Sequence, residues 1–441
     1  MESARVVVTG LGAVSPLGLN VDQMWAGLCE GRCGIGRIRA FDPEGLRCEL
    51  AGEVPPYNIQ DYVPRKYRKS CKLMCRDIEL AVIAAHQAVT ASGLVTKGID
   101  PENVGIDPAR MAITMGAGII SCDMVELAPA AVTSVTDGRF DVRKWGRFGL
   151  EHITPLWLLK YLPNMLACHV GIIHDAQGPS NTITCAEASA HLAIGEAAQV
   201  IARGDSDIAL AGAAEAKVNP VLMVRQILLG RTNNVSNDRP AEACRPFDAK
   251  AQGSVFGEAG GVLVLESLSH ARRRGATILA EVAGVGQSHC VDPAYARLEP
   301  SGEAVRLAIA KALDDAGIDA RQLDLLIPHG TGLPPDDLAE ARGIQAALGD
   351  AVERVVVWPT KSMLSTTGAA AGALDAIAAV KAITTGTIPA ARNFDRAAEG
   401  CHLHLSTDTI RRRIDHAICC SYTHGGQTAA LVIKRYDEGA A

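Results

Sequence analysis

Strand-like and helix-like runs alternate along this chain, and the alternation runs through the sequence twice. In the first half, an apolar stretch at 6–9 leads through a glycine-rich turn to a helical stretch near 21–30. Residues 77–92 repeat apolar side chains with the period of a helix. A buried strand is predicted at 111–115, an apolar helix at 155–172, and a short strand at 181–184 running into a helix at 186–203. Strands at 208–213 and 261–266 close this half. The second half repeats the theme: strand 278–285, helix 302–316, strand 325–328, helix 336–348, strand 355–358, helix 369–384, and a closing antiparallel pair at 416–421 and 428–434. Such alternation predicts an α/β layered fold. A boundary near 267 divides the chain into residues 1–267 and 268–441. No low-complexity linker separates them, so they are expected to pack as one body. Residues 120–152 read as irregular, an insertion or a cap.

At 441 residues the chain exceeds a typical single domain. Its 48% apolar and 21% charged residues are ordinary for a folded protein. A net charge of −6 without a basic patch does not suggest nucleic-acid binding. The 13 cysteines are odd in number and scattered, with no CxxC pair, and no signal peptide precedes the strand that opens at Arg5. Reduced thiols in a cytoplasmic protein are therefore expected. Cys71 and Cys75 stand at helical i, i+4 spacing, but no further ligands lie nearby, so no metal is expected there. No apolar run reaches the ~20 residues of a membrane span. A P-loop is lacking, as is a Gly-x-Gly-x-x-Gly in a βαβ context, so no cofactor is indicated.

The helix at 186–203 is small or apolar nearly all round, the mark of a helix buried in a large protein rather than amphipathic at its surface. Its N-terminus opens just after a strand and presents free N–H groups and positive dipole charge. Such a place suits a nucleophile or an anion-binding group.

Ordered blocks along nearly the whole chain resemble the β-ketoacyl-acyl carrier protein synthases of the synthase II type. They are Val6-Val7-Val8-Thr9-Gly10-Leu11-Gly12-Ala13-Val14-Ser15-Pro16-Leu17-Gly18, Gly178-Pro179-Ser180, Ala211-Gly212-Ala213-Ala214-Glu215, Arg245-Pro246-Phe247-Asp248, and the run from Gly257 to Glu266. They continue with His329-Gly330-Thr331-Gly332 followed by Asp337 and Glu340, then Lys361-Ser362-Met363, then Gly425-Gly426. The resemblance implies a thiolase fold of two fused βαβαβαββ halves in a layered αβαβα arrangement, usually dimeric. It also implies a cysteine at the N-terminus of the buried helix that takes an acyl group from a carrier protein or CoA. Two histidines, supported by a lysine, then stabilise the carbanion left by decarboxylation, and two backbone N–H groups form an oxyanion hole.

Counted without gaps from Gly178-Pro179-Ser180, and back from Ile194-Gly195, the cysteine position falls at Glu187. Cys185 lies two residues earlier and serves as the nucleophile only if a two-residue deletion is matched by a two-residue insertion. The first histidine is His329. The second falls at Thr366, whose hydroxyl can donate a hydrogen bond but carry no charge. Lys361 is retained, the family's glutamate becomes Asp375, and the phenylalanine that gates the acyl pocket falls at His424, ahead of Gly425 and Gly426 in the substrate and oxyanion region. At Glu187 the helix dipole favours the charged carboxylate while burial opposes it. The plainer role for Glu187 is satisfying the helix start, where acidic residues are favoured.

Three functions compete. The first is a non-elongating subunit resembling chain-length-factor partners, paired with a cysteine-bearing ketosynthase. The second is an active 3-oxoacyl-ACP synthase using Cys185. The third is a malonyl-thioester decarboxylase with Glu187 and His329 as acid and base. All three act on acyl carrier protein or acyl-CoA thioesters, as a homodimer or a heterodimer in fatty acid or polyketide biosynthesis.

Overall fold

The computed structural model of the chain describes residues 4–293 and 297–438. Ten strands form one sheet: β1 (Val6–Val14), β2 (Met111–Ala117), β3 (Ser180–Ile183), β4 (Ile208–Ala216), β5 (Glu258–Ser267), β6 (Ala280–His289), β7 (Leu325–Ile327), β8 (Val356–Val357), β9 (His416–Tyr422) and β10 (Gln427–Lys434). Six helices link them: α1 (Arg76–Ser92), α2 (Met165–His174), α3 (Ser189–Ala202), α4 (Glu303–Asp315), α5 (Pro334–Leu348) and α6 (Ala371–Thr385). Along the chain this gives βαβαβαββ twice, the order the resemblance implies.

The sheet order is β8-β7-β9-β10-β6-β1-β5-β4-β2-β3, which is symmetric about the β6–β1 junction. Each half has two parallel pairings at its outer edge and two antiparallel ones toward the centre. The halves join where Val6, Val7 and Val8 pair antiparallel with Val282, Glu281 and Ala280. Even the irregularities repeat: the register shifts between Val8 and Gly10 in β1 and between Val282 and Gly284 in β6. In both strands a Gly-x-Gly follows the shift, and each glycine sits against the backbone of a helix, Gly10 and Gly12 on α1, Gly284 and Gly286 on α4. Only a residue without a Cβ permits that approach.

Helices α3 and α6 pack on each other at the centre and touch strands of both halves. Residues 371–380 of α6 are all buried. Small side chains make the close packing possible: a Cβ on Gly372 would lie 2.9 Å from the His191 ring of α3, and one on Gly261 2.8 Å from Ala373. Gly368–Thr385 is the one described stretch long and apolar enough to cross a membrane, and 83% of it is buried inside the fold. It is the core helix of a layered protein.

Several sequence expectations need correction. The apolar run at 155–172 is not one helix. Leu156 adopts a left-handed φ of 65°, Trp157–Lys160 forms a single 3-10 turn, and α2 begins only after Pro163. Residues 120–152 are not irregular: they hold helices Met124–Thr133 and Val142–Arg147 with a two-stranded hairpin between them. Cys71 lies in a 3-10 segment, Arg65–Leu73, and Cys75 caps α1, so the two do not share a helix face. Among the described residues no group of His, Cys, Asp or Glu is arranged to hold a metal.

At the start of α1, Asp77 is buried and accepts a hydrogen bond from the Ala216 N–H at 2.9 Å. Burial pushes its carboxyl up to about 7, with the Glu215 and Glu258 carboxylates adding to the rise. An acid held protonated by the fold costs stability as pH rises from the unfolded value, near 4, to the folded one. Asp77→Asn keeps an acceptor for Ala216. Relative to the parent, it is expected to gain about 1.4 kcal/mol for each pH unit across that window, read by urea unfolding at pH 4.5 and pH 7.5. Equal differences at both pH values would refute the account.

Candidate functional site

The chain turns from β3 into α3 through Thr184, Cys185, Ala186 and Glu187. Ala186 holds a left-handed φ of 42°, strained for a residue with a side chain. A 3-10 turn, Ala186–Ala188, precedes the helix proper, so α3 starts at Ser189 rather than at 186. Ser189 secures the turn: its hydroxyl accepts from the Cys185 N–H at 2.8 Å and donates to the Ala117 carbonyl at 3.1 Å.

Glu187 is 1% exposed. Its Oε1 lies 3.2 Å from Nη1 of Arg231, which is 4% exposed, and its Oε2 has no partner among the described residues. Burial pushes the carboxyl up, but Arg231, then Lys217, outweigh it and hold the group below the usual carboxylate range. The competition between dipole and burial is thus decided by a cation 44 residues away in sequence. Lys217 itself is paired with Glu215 at 2.6 Å.

A cavity of about 370 Å³ opens beside this pair. Cys185, Glu187, Lys217, Arg231, His424 and Gly425 line it. The Cys185 thiol is half-buried, and burial raises its pKa, which disfavours the thiolate. Burial, then Arg231, lowers His424. The Gly425 N–H donates to the Thr423 hydroxyl at 3.0 Å and the Gly426 N–H to the Thr423 carbonyl at 2.9 Å, so both are engaged within their own turn.

His329 lies deeper and is fully buried. Both oxygens of Glu340, on α5, accept backbone N–H bonds from its loop, from His329 at 2.6 Å and Gly330 at 2.7 Å. Neither ring nitrogen has a partner among the described residues, and the ring stands edge-on to Tyr422 with centroids 4.7 Å apart. Burial, then the nearby Lys361 ammonium, keeps the imidazole neutral, its pKa well below the ordinary value. Lys361 is ion-paired with Asp375 of α6 and donates to the Pro328 carbonyl at 3.3 Å. Asp375 also accepts from Thr360 Oγ1 at 2.6 Å. The Thr366 hydroxyl shares a hydrogen bond with that of Ser254, 2.7 Å away, and its backbone bridges to Phe256.

Glu187, Cys185 and His424 therefore share a cavity, and the fields of Glu187 and Lys361 both reach His329. Thr366 is held in a separate contact with Ser254. Sequence reading missed Arg231, Lys217, Ser254 and Tyr422. Only Tyr422 carried a signal, standing two residues before the gate position.

The N-terminal domain model of the β-ketoacyl synthases matches residues 3–271, and the C-terminal domain model matches 279–395. The chain is 33% identical over 440 residues to 3-oxoacyl-[acyl-carrier-protein] synthase 2 of Vibrio cholerae, covering 99% of this chain and 100% of that one. Among solved structures, a β-ketoacyl synthase from Burkholderia phymatum superposes with a TM-score of 0.86 at 27% identity, over 98% of this chain and all of that one. The ishigamide ketosynthase/chain length factor superposes with a TM-score of 0.83 at 29% identity, over 99% of this chain and all of that one. Two family models that together span most of the chain, and a relative matched end to end, carry the conclusion that this protein belongs to the β-ketoacyl synthase family, with its thiolase-type α/β fold.

Proposed function

We propose that the chain is a non-elongating, chain-length-factor-like subunit, divided near residue 267 into two synthase halves, that binds acyl thioesters beside a cysteine-bearing ketosynthase. The observation that carries this reading is the buried Glu187–Arg231 ion pair at the position the ungapped count assigns to the acyl-accepting thiol. A carboxylate there cannot form a thioester, and its charge repels a malonyl carboxylate and the enolate that decarboxylation would leave. Thr366, at the second histidine position, shares a hydrogen bond with the Ser254 hydroxyl and, unlike an imidazole, can carry no charge.

Pairing with a second subunit is supported by two features. Strand β3 is an outer edge of the sheet with Ser180 and Asn181 exposed. The segment 124–156 exposes Val125 (81%), Val132 (72%), Phe140 and Leu156. An open sheet edge and exposed apolar side chains each suit a protein interface.

Intact-protein mass spectrometry with peptide mapping, after incubation with acyl-carrier protein and acyl-CoA, tests the reading. No adduct is expected under conditions that load an ordinary synthase, together with co-purification of a cysteine-bearing ketosynthase from the source cells. A second reading, condensation through Cys185, is favoured by one observation, that the thiol lines the same cavity. An acyl group on Cys185, with condensation abolished by Cys185→Ala, would replace the first reading with the second. Decarboxylation by Glu187 and His329 fares worst, because it needs a proton on Glu187 that the flanking cations oppose.

A further inference from the structure

Arg231 has no place in the acyl-transfer chemistry described for the site, yet it is among the most enclosed cations in the molecule. It follows the short helix Pro220–Leu228 and is clamped on several sides. Its backbone N–H donates to the Gln226 carbonyl at 3.1 Å and its carbonyl accepts from the Ser254 N–H at 3.0 Å. Nη1 is shared between Glu187 Oε1 at 3.2 Å and the Gln226 side-chain oxygen at 3.3 Å, and the guanidinium carbon stands 5.4 Å from the centre of the Phe256 ring. Nε has no partner. A guanidinium packed this way cannot swing out to water, and taking it out of water is costly unless a charge answers it.

Resting on the reading of Glu187 as the residue at the acyl-accepting position, we infer that Arg231 is a positioning residue which keeps Glu187 ionised and so closes the site to decarboxylation as well as to acyl transfer. The other charged and titratable groups around Glu187 cannot do this alone. Lys217, beyond the end of β4, also lowers Glu187 but ranks after Arg231 and shares its charge with Glu215. His329 is held neutral by burial and Lys361. His424, in the turn between β9 and β10, has its pKa lowered. Asp336, at the start of α5, adds negative charge when ionised. Without Arg231, burial governs Glu187, and a buried carboxyl takes up a proton. Protonated Glu187 is a neutral hydrogen-bond donor. It could then stabilise the thioester oxygen while the C–C bond to the malonyl carboxylate breaks, its electron pair passing into the enolate as carbon dioxide leaves. A proton from solvent would complete the acetyl thioester.

The test follows the ionisation of Glu187 by carbon-13 NMR of glutamate-labelled protein, with Glu187→Gln to assign the signal. The parent is expected to titrate below the ordinary glutamate value of about 4.3. Arg231→Gln is expected to move the midpoint up by about three pH units or more, and Arg231→Lys to return most of that shift. Carbon dioxide release from malonyl carrier protein should be absent in the parent and appear in Arg231→Gln, falling as pH rises through the new midpoint. A mere packing role would leave the midpoint unmoved. An unmoved midpoint in a folded Arg231→Gln, with the parent's thermal unfolding, overturns the inference. Should that variant not fold, the parent decides: a midpoint at or above about 4.3 overturns the inference, and one clearly below supports it. An acyl group found on Cys185 would remove the functional reading while leaving the Glu187 titration as measured, so the two failures are distinguishable.

Discussion

Replacing Asp375 with alanine is expected to lower the free energy of unfolding by about 3–5 kcal/mol. Asp375 and Lys361 are each 1% exposed and are paired directly. Burial pushes the Asp375 carboxyl up and the Lys361 ammonium pulls it down, so each charge is tolerable only because of the other. Removing the carboxylate strands an ammonium between α6 and the β7 loop, where among the described residues only the Pro328 carbonyl is left to meet it. It also leaves Thr360 Oγ1 without its acceptor. Equilibrium urea unfolding measures the loss. The double variant Lys361→Met, Asp375→Leu is expected to recover most of it, since an apolar pair of similar volume has no desolvation cost. A loss below about 1 kcal/mol for Asp375→Ala, the range of an exposed pair, would mean that water reaches the ion pair.

The second large effect concerns glycines that touch no functional group. Gly12→Ala and Gly286→Ala are each expected to cost about 3 kcal/mol or more. A Cβ on Gly12 would fall onto the Ala84 carbonyl and come within 2.6 Å of the Ala88 nitrogen. One on Gly286 would fall onto the Ala308 carbonyl and within 2.6 Å of the Ala312 nitrogen. These neighbours are helix backbone, which has no rotamer to change, so the helix must lift from the sheet. The two costs should match to within about 0.5 kcal/mol, because the halves repeat the same contact. Gly36→Ala, where a Cβ meets nothing within 4 Å, is the control and should change stability by less than about 0.5 kcal/mol. Strongly unequal costs at Gly12 and Gly286 would show that one half tolerates separation of its helix from the sheet.

Where local chemistry governs, sequence reading and structure agree closely. The strands at 6–9, 111–115 and 416–421 were legible because apolar runs of that length bounded by turns have few other uses, and the helix at 77–92 because its period is helical. The two failures have different causes. At 155–172 an apolar run was read as a helix, although Pro163 and the left-handed Leu156 break it. At 120–152 helices were missed because their apolar residues, Val125 and Val132 among them, face outward rather than into this chain's core. A pattern that serves an exposed face does not carry the usual inside-outside alternation.

The division at the site is sharper. Order and spacing along the chain determined the twofold βαβαβαββ series, the glycines that let helices rest on strands, and the presence of a carboxylate where α3 begins. These follow from periodicity, from the missing Cβ, and from counting along a short gapless segment. Whether that carboxylate is charged was a tertiary matter. The helix dipole acts at Glu187 from its own surroundings in sequence, burial comes from the packing of the folded chain, and the two pull in opposite directions. The balance is tipped by Arg231, 3.2 Å away in space and 44 residues away in sequence. Charge interactions depend on distance and on the dielectric between the groups, and only the folded chain fixes either.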